Sequence, residues 1–137
     1  MLFGDAHVEA YRRTNGAEGF EWKKGSHIVL LTTIGHRSGE ERTVPLIFGR
    51  HGDDYLLVAS KGGADEPPAW YVNLEANPAV TVQDRADVFK AVARTASAEE
   101  KQTLWPIMTK EWPDYDDYQK KTERPIPVVI LERVAIG

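Results

Sequence analysis

The chain contains no cysteine. That absence removes disulfides, iron–sulfur clusters, cysteine-ligated zinc and any thiol nucleophile from consideration, and it suits a reducing compartment. A surplus of positive charge is missing as well. Seventeen Lys and Arg stand against 21 Asp and Glu, for a formal charge of −4. A general nucleic-acid binder needs the opposite balance to neutralise phosphates, so no nucleic-acid partner is expected. Apolar runs such as Ile28-Val29-Leu30-Leu31 and Val128-Val129-Ile130-Leu131 are of strand length and fall far short of a bilayer span. The start, Met1-Leu2-Phe3-Gly4-Asp5, lacks the basic stretch leading into an apolar one that marks a secretory signal. The expectation is a cytoplasmic protein.

Several catalytic signatures are absent too. The histidines His7, His27, His36 and His51 show no His-x-x-x-His spacing, so no metal site is expected. Gly35-His36-Arg37-Ser38-Gly39 puts its serine one place too late for a nucleophile elbow. No Gly-x-Gly-x-x-Gly fingerprint supports a dinucleotide-binding Rossmann domain. Asp114, Asp116 and Asp117 fit a solvated helix start better than a carboxylate site.

What is present is one domain's worth of chain. At 137 residues, 42% hydrophobic and 28% charged, the sequence suits a single globular domain over 1–137 that needs no staple to hold a core. Residues 1–25 read as an N-terminal helix and lead-in, with a helix over 5–14 that starts at Asp5 as N-cap and stops at Asn15-Gly16. Six strands are predicted, over 27–34, 42–48, 55–59, 80–83, 88–94 and 126–132. A short helix over 69–76 is bracketed by Pro67-Pro68 and Asn77-Pro78. Ser97-Ala98-Glu99-Glu100 is a capping box opening a helix that Pro106 kinks or divides, and one or two further turns follow over 114–121. Short strands joined by hairpin turns point to an α+β fold, a mostly antiparallel sheet curled into a small barrel with helices outside.

Two turns combine glycine with positive charge. Gly35-His36-Arg37-Ser38-Gly39, with Arg42 close behind, is either a solvated hairpin turn or an anion cradle in which guanidinium groups grip phosphate or carboxylate. Ser60-Lys61-Gly62-Gly63 is either a plain strand exit or a loop whose backbone N–H groups converge on an anion. Aromatic residues supply a third feature. Trp112, Tyr115 and Tyr118 are spaced by three, as are Trp70 and Asn73, so a helix would place each set on one side. Such stripes pack cores, or they wall a pocket for a flat ligand with their faces and polar ends.

These segments together resemble the deazaflavin-dependent nitroreductase family of actinobacteria. The likeness is carried by Leu30-Leu31-Thr32-Thr33-Ile34-Gly35-His36-Arg37-Ser38-Gly39, Ser60-Lys61-Gly62-Gly63, Trp70-Tyr71-Val72-Asn73-Leu74, Tyr115-x-x-Tyr118 and Arg124-Pro125-Ile126-Pro127-Val128-Val129. The resemblance implies a six-stranded split β-barrel of the kind that binds flavin mononucleotide (FMN) or oxidises pyridoxamine phosphate. It implies coenzyme F420, a deazaflavin with an anionic tail, whose reduced form gives hydride to a quinone, an activated alkene or a nitro compound. By likeness Arg37, Ser38 and Arg42 hold the tail. Pro45, Ser60, Lys61, Gly62, Gly63, Trp70 and Asn73 complete the coenzyme site. Ile47, Trp112, Tyr115 and Tyr118 form the substrate pocket, and Tyr118, Ser60 and Tyr115 act on the acceptor.

The chain also departs from the family. His36 stands where arginine is common. Trp112 and Ile47 stand where the nitroimidazole-reducing member has tyrosines, which argues against that prodrug activity and not against coenzyme binding. Two alternatives share the fold: an FMN-dependent oxidoreductase and a non-catalytic F420 carrier. A menaquinone-like acceptor would imply peripheral contact with the inner face of the plasma membrane. The oligomeric state is not legible.

Overall fold

A computed structural model describes residues 3–134. Met1 and Leu2 of the lead-in, and residues 135–137 at the end of the single-domain span, lie outside the described residues. Seven strands make one antiparallel sheet: β1 Ile28–Ile34, β2 Glu41–Ile47, β3 Gly49–His51, β4 Asp54–Val58, β5 Ala79–Asp84, β6 Asp87–Thr95 and β7 Val128–Arg133. Among the described residues four α-helices accompany it: α1 Gly4–Thr14, α2 Ala69–Ala76, α3 Ala98–Glu111 and α4 Asp114–Lys120.

The sheet order is β2-β1-β5-β6-β7-β4-β3. β2 and β3 therefore lie on opposite edges, yet only Phe48 separates them in the chain. A one-residue link cannot cross a flat sheet of seven strands spaced ~4.8 Å apart. The sheet must curl until its edges meet. The closure is incomplete, because β2 is hydrogen-bonded to β1 alone. The result is a split barrel, and the split runs along the free edge of β2.

Burial explains the sequence pattern. Val29, Leu31, Leu57, Val82, Val129 and Leu131 point into the barrel, where Trp70, Tyr71 and Leu74 of α2 plug one end. The alternate residues of β1, Ile28 and Leu30, face outward beneath Val8 and Tyr11 of α1. Those of β4 and β7, including Leu56, Val58, Val128 and Ile130, lie beneath Leu104 and Met108 of α3. Strands covered on both faces read as continuous apolar runs. β6 lacks an outer cover at its centre and alternates, with Phe89, Ala91 and Ala93 buried and Val88, Lys90 and Val92 in water.

Four expectations need correction. There are seven strands rather than six, because the three residues of β3 carry no strand pattern. Asp5 is not the N-cap of α1: Phe3 holds that position without a side-chain bond, and Asp5 sits in the first turn, where its charge suits the helix dipole. Pro106 does not divide α3, which is one helix from Ala98 to Glu111 behind the predicted capping box at Ser97. Pro106 and Gln102 are both exposed, so water can take over the carbonyl that the proline leaves without an amide partner. Trp112 is not helical but caps α3 in extended conformation.

Candidate functional site

A cleft of about 470 Å³ follows the split in the barrel. Its floor is the free edge of β2, with Val44, Pro45, Leu46 and Ile47. One end is the exit of β4, with Ser60, Lys61 and Gly62, and Pro68 and Trp70 at the start of α2 beside it. Trp112, Tyr115 and Tyr118 form a wall, and Phe3, His7 and Trp22 close the α1 side. Nine residues named from the sequence thus meet around one space: Pro45, Ile47, Ser60, Lys61, Gly62 and Trp70, with the three aromatic residues of the wall.

The exit of β4 is tightly specified. Ser60 has right-handed backbone angles (φ −83°, ψ −38°), and left-handed ones follow at Lys61, Gly62 and Gly63 (φ 47°, 64° and 87°). A right-to-left reversal turns successive N–H groups toward one side, which is a general anion-binding shape. Lys61 pays for that shape, since a left-handed non-glycine residue costs about 1–2 kcal/mol. The surroundings hold it there. Arg124 donates to the carbonyls of Ser60 (2.9 Å), Ala64 (2.7 Å) and Ala59 (3.3 Å). Thr122 donates to Asp65 at 2.8 Å. Gly63 packs so closely under α4 that a Cβ there would lie 2.6 Å from the Tyr118 carbonyl oxygen. Turn and aromatic wall are packed directly against each other at Gly63 and Tyr118.

The wall is apolar with hydroxyl tips. Trp112 stacks on Trp22 with ring centroids 5.6 Å apart and donates from Nε1 to the Tyr118 hydroxyl at 3.2 Å. That leaves the hydroxyl proton of Tyr118 free to be given to a ligand. Burial, with smaller contributions from Tyr118 and Glu111, pushes the Tyr115 hydroxyl upward in pKa, so it stays protonated and is a donor. Among the described residues the Tyr115 hydroxyl and the Ser60 Oγ have no hydrogen-bond partner. No fully buried side-chain oxygen there lacks a partner either, so both hydroxyls keep some exposure, and both residues line the cleft.

The other glycine-bearing turn, between β1 and β2, lies outside that lining. Arg37, Ser38 and Arg42 are exposed and do not line the cleft. Arg37 has no partner among the described residues. Arg42 pairs loosely with Glu40 at 3.5 Å, and Ser38 accepts from the Glu40 amide at 3.1 Å. Arg42 nevertheless stands two residues from Val44 on the same face of β2, ~7 Å farther along the strand. Two more residues named from the sequence sit behind the cleft. Gly63 is buried beneath Tyr118. Asn73 accepts from the His36 amide (3.1 Å) and from His36 Nδ1 (2.9 Å), and donates to Thr33 (3.2 Å). Its place is as the anchor of the β1–β2 turn.

The sequence reading missed His7, Trp22 and Phe3 as lining residues, since none belongs to a periodic pattern. It also gave Arg124 no role, although its position in the chain just before β7 brings it back against the exit of β4.

A family model described as F420H(2)-dependent quinone reductase matches residues 5–133. An F420H(2)-dependent quinone reductase of Mycobacterium tuberculosis (strain ATCC 25618 / H37Rv) is 39% identical over 130 residues, which cover 93% of this chain and 87% of the relative. A solved structure described as an F420-H2 dependent reductase is similar at 45% identity and a TM-score of 0.72, over 77% of this chain and 93% of the other. Another, described as a domain-swapped dimer, is similar at 39% identity and a TM-score of 0.74, over 91% and 96%.

Proposed function

Because this chain belongs to the F420H(2)-dependent quinone reductase family, we propose that the cleft along the split is where it reduces quinone-class acceptors with the reduced form of coenzyme F420. The bound deazaflavin supplies hydride. The observation that carries the assignment is the meeting of a backbone anion cradle, Ser60-Lys61-Gly62, with an aromatic wall whose hydroxyl tips are free.

The residues present fit such a coenzyme. A flat ring needs apolar faces, and Trp70, Trp112 and Pro45 supply them. A phosphate needs converging N–H groups and a cation, which Ser60, Lys61 and Gly62 offer. Lys61 is only loosely engaged, 4.0 Å from Glu66. A longer anionic tail needs further cations outside the ring pocket, where Arg42 and Arg37 stand with Ser38. Negative charge that builds on the acceptor needs donors already in position. The hydroxyls of Tyr118, Tyr115 and Ser60 serve as those donors, with Ile47 and Trp112 shaping the space around the acceptor.

The chemistry of the rim favours a menaquinone-like acceptor drawn from a membrane. Among the described residues, no helix is long and apolar enough to cross one. Phe3 is 57% exposed, and the Lys23 ammonium lies 4.9 Å over its ring and 5.1 Å over that of Trp22. Aromatic rings beside lysines, at the mouth of a cleft, suit peripheral contact with an anionic lipid surface.

The test is a fluorescence titration with coenzyme F420, beside FMN as competitor, followed by turnover with soluble quinones and with menaquinone in anionic vesicles. F420 should bind and FMN should not. Removing the donors in Tyr118→Phe and Ser60→Ala should lower turnover about tenfold or more while coenzyme affinity changes little. Unchanged turnover in both variants would reject these donors, and acceleration of no acceptor would leave only a carrier.

A further inference from the structure

One side chain in the wall of the cleft has no part in the scheme so far. His7, in the first turns of α1, is 2% exposed and lines the cleft. Its Nε2 lies 2.7 Å from the Gly19 carbonyl oxygen. A carbonyl only accepts, so Nε2 carries a hydrogen and donates it. In the neutral ring Nδ1 is then left with a bare lone pair.

The contact is built into the fold. Gly19 has φ +101°, and a Cβ there would lie 2.9 Å from both Nε2 and Cδ2 of the imidazole. Glycine allows the close approach. On the other side of the ring, Nδ1 has no hydrogen-bond partner among the described residues. No fully buried side-chain nitrogen there lacks a partner, so Nδ1 keeps some exposure, and the cavity that His7 borders is the cleft. The fold has buried an imidazole at the border of the cleft, fixed its tautomer from behind and left its other nitrogen without a partner among the described residues.

Its neighbours narrow the role. Among the described residues no carboxylate lines the cleft, and its other ionisable side chains there are Lys61, Tyr115 and Tyr118. Lys61 belongs to the anion cradle, and burial keeps Tyr115 protonated. Histidine is the side-chain type that takes up and releases a proton most readily near neutral pH.

We propose that His7 is a catalytic residue of this reductase, with Nδ1 contacting an oxygen of the quinone-class acceptor and delivering its proton. The proposal rests on the quinone reductase reading above. A quinone becomes a quinol by gaining one hydride and one proton. The hydride comes from the reduced coenzyme. The proton comes from Nδ1 of the imidazolium: the N–H bond breaks, its electron pair stays on the ring, and an O–H bond forms on the acceptor. The ring returns to its neutral form, still bonded to Gly19 through Nε2–H, and recovers a proton from solvent after the quinol leaves. The proton that the coenzyme sheds on oxidation enters solvent and closes the balance.

His7→Gln is the informative variant, because a glutamine amide can still reach the Gly19 carbonyl while removing Nδ1. It should bind coenzyme F420 within about twofold of the unmodified protein, yet reduce a soluble naphthoquinone about a hundredfold more slowly, in the range typical of a lost general acid. A second measurement needs no variant. ¹⁵N NMR of the unmodified protein at alkaline pH, where the ring is neutral, should show Nε2 protonated and Nδ1 bare, with the Nδ1 signal moving when the naphthoquinone is added and not when the coenzyme is added alone. Wild-type turnover in His7→Gln, an Nδ1–H tautomer, or an Nδ1 signal that stays put at saturating naphthoquinone would each overturn the proposal. The family reading fails in a different way: the unmodified protein would then neither bind the coenzyme nor reduce the quinone, and the role of His7 would fall with it.

Discussion

The two glycine-bearing cationic turns look alike in sequence and differ in construction. The turn after β4 is held through its backbone. Arg124 grips its carbonyls, Gly63 is wedged under Tyr118, and three successive residues are left-handed. The turn between β1 and β2 closes only on itself, with the Gly35 amide donating to the Glu40 carbonyl (2.7 Å) and the Gly39 amide to that of Gly35 (2.9 Å). One side chain, Asn73, ties it to α2, and it carries its cations in water. A fixed backbone cradle has met its ordering cost during folding. A flexible guanidinium meets that cost again at each binding event. The first turn is suited to set where a ligand sits, and the second to add attraction at a distance.

The hardest way to break the contrast is Gly63→Ala. The new methyl would lie 2.6 Å from a backbone oxygen of α4, and alanine resists φ of +87°. Overpacking and strain together should cost about 3 kcal/mol, seen as a lower urea midpoint. Because the wedge joins cradle to wall, coenzyme affinity should fall steeply in the molecules that still fold. Stability within about 0.5 kcal/mol of the unmodified protein would show that the two parts are not rigidly joined. Asn73→Ala is the matching cut on the other turn. It removes three hydrogen bonds, two of them to an exposed residue, and should cost about 1.5 kcal/mol. Its coenzyme affinity should fall only a few-fold, since no lining residue moves. A loss as deep as that of Gly63→Ala would put the β1–β2 turn inside the ring site after all.

The contrast also shows what sequence could reveal. α2 begins and ends where the prolines on either side place it, over Ala69–Ala76. The capping box at Ser97 is present in full, with both of its bonds. Such signals are local, and their chemistry lies within four residues. The split barrel came from the resemblance and from strand spacing, but the device that closes it, a one-residue passage from β2 to β3, depends on pairing with distant strands. Lys61 and Arg37 carried equal weight in the sequence, because nothing in a separation of 24 positions encodes which cation borders the cleft. The resemblance places Asn73 beside the ring, whereas its side chain is bonded to His36 and Thr33 and does not line the cleft. His7 stayed invisible because a lone histidine near an N-terminus has no pattern, and its meaning depends on Gly19 lying behind it.

The smallest expected effect separates the turns most cleanly. Lys61→Ala removes a charge beside the cradle, and Arg37→Ala removes one that stands free in solvent. At low ionic strength both should weaken coenzyme F420 binding, Lys61→Ala by about tenfold and Arg37→Ala by about threefold, within the range of charge-assisted contacts. Raising salt shortens the screening length to ~8 Å at 0.15 M and ~3 Å at 1 M. An exposed guanidinium acting through water should then lose its influence, so Arg37→Ala and the unmodified protein should converge. Lys61 acts at contact distance, and part of its effect should persist. Fluorescence titrations at three salt concentrations read the difference directly. Parallel salt curves for the two variants would mean that both cations touch the coenzyme alike, and the division between a positioning turn and an attracting one would fail.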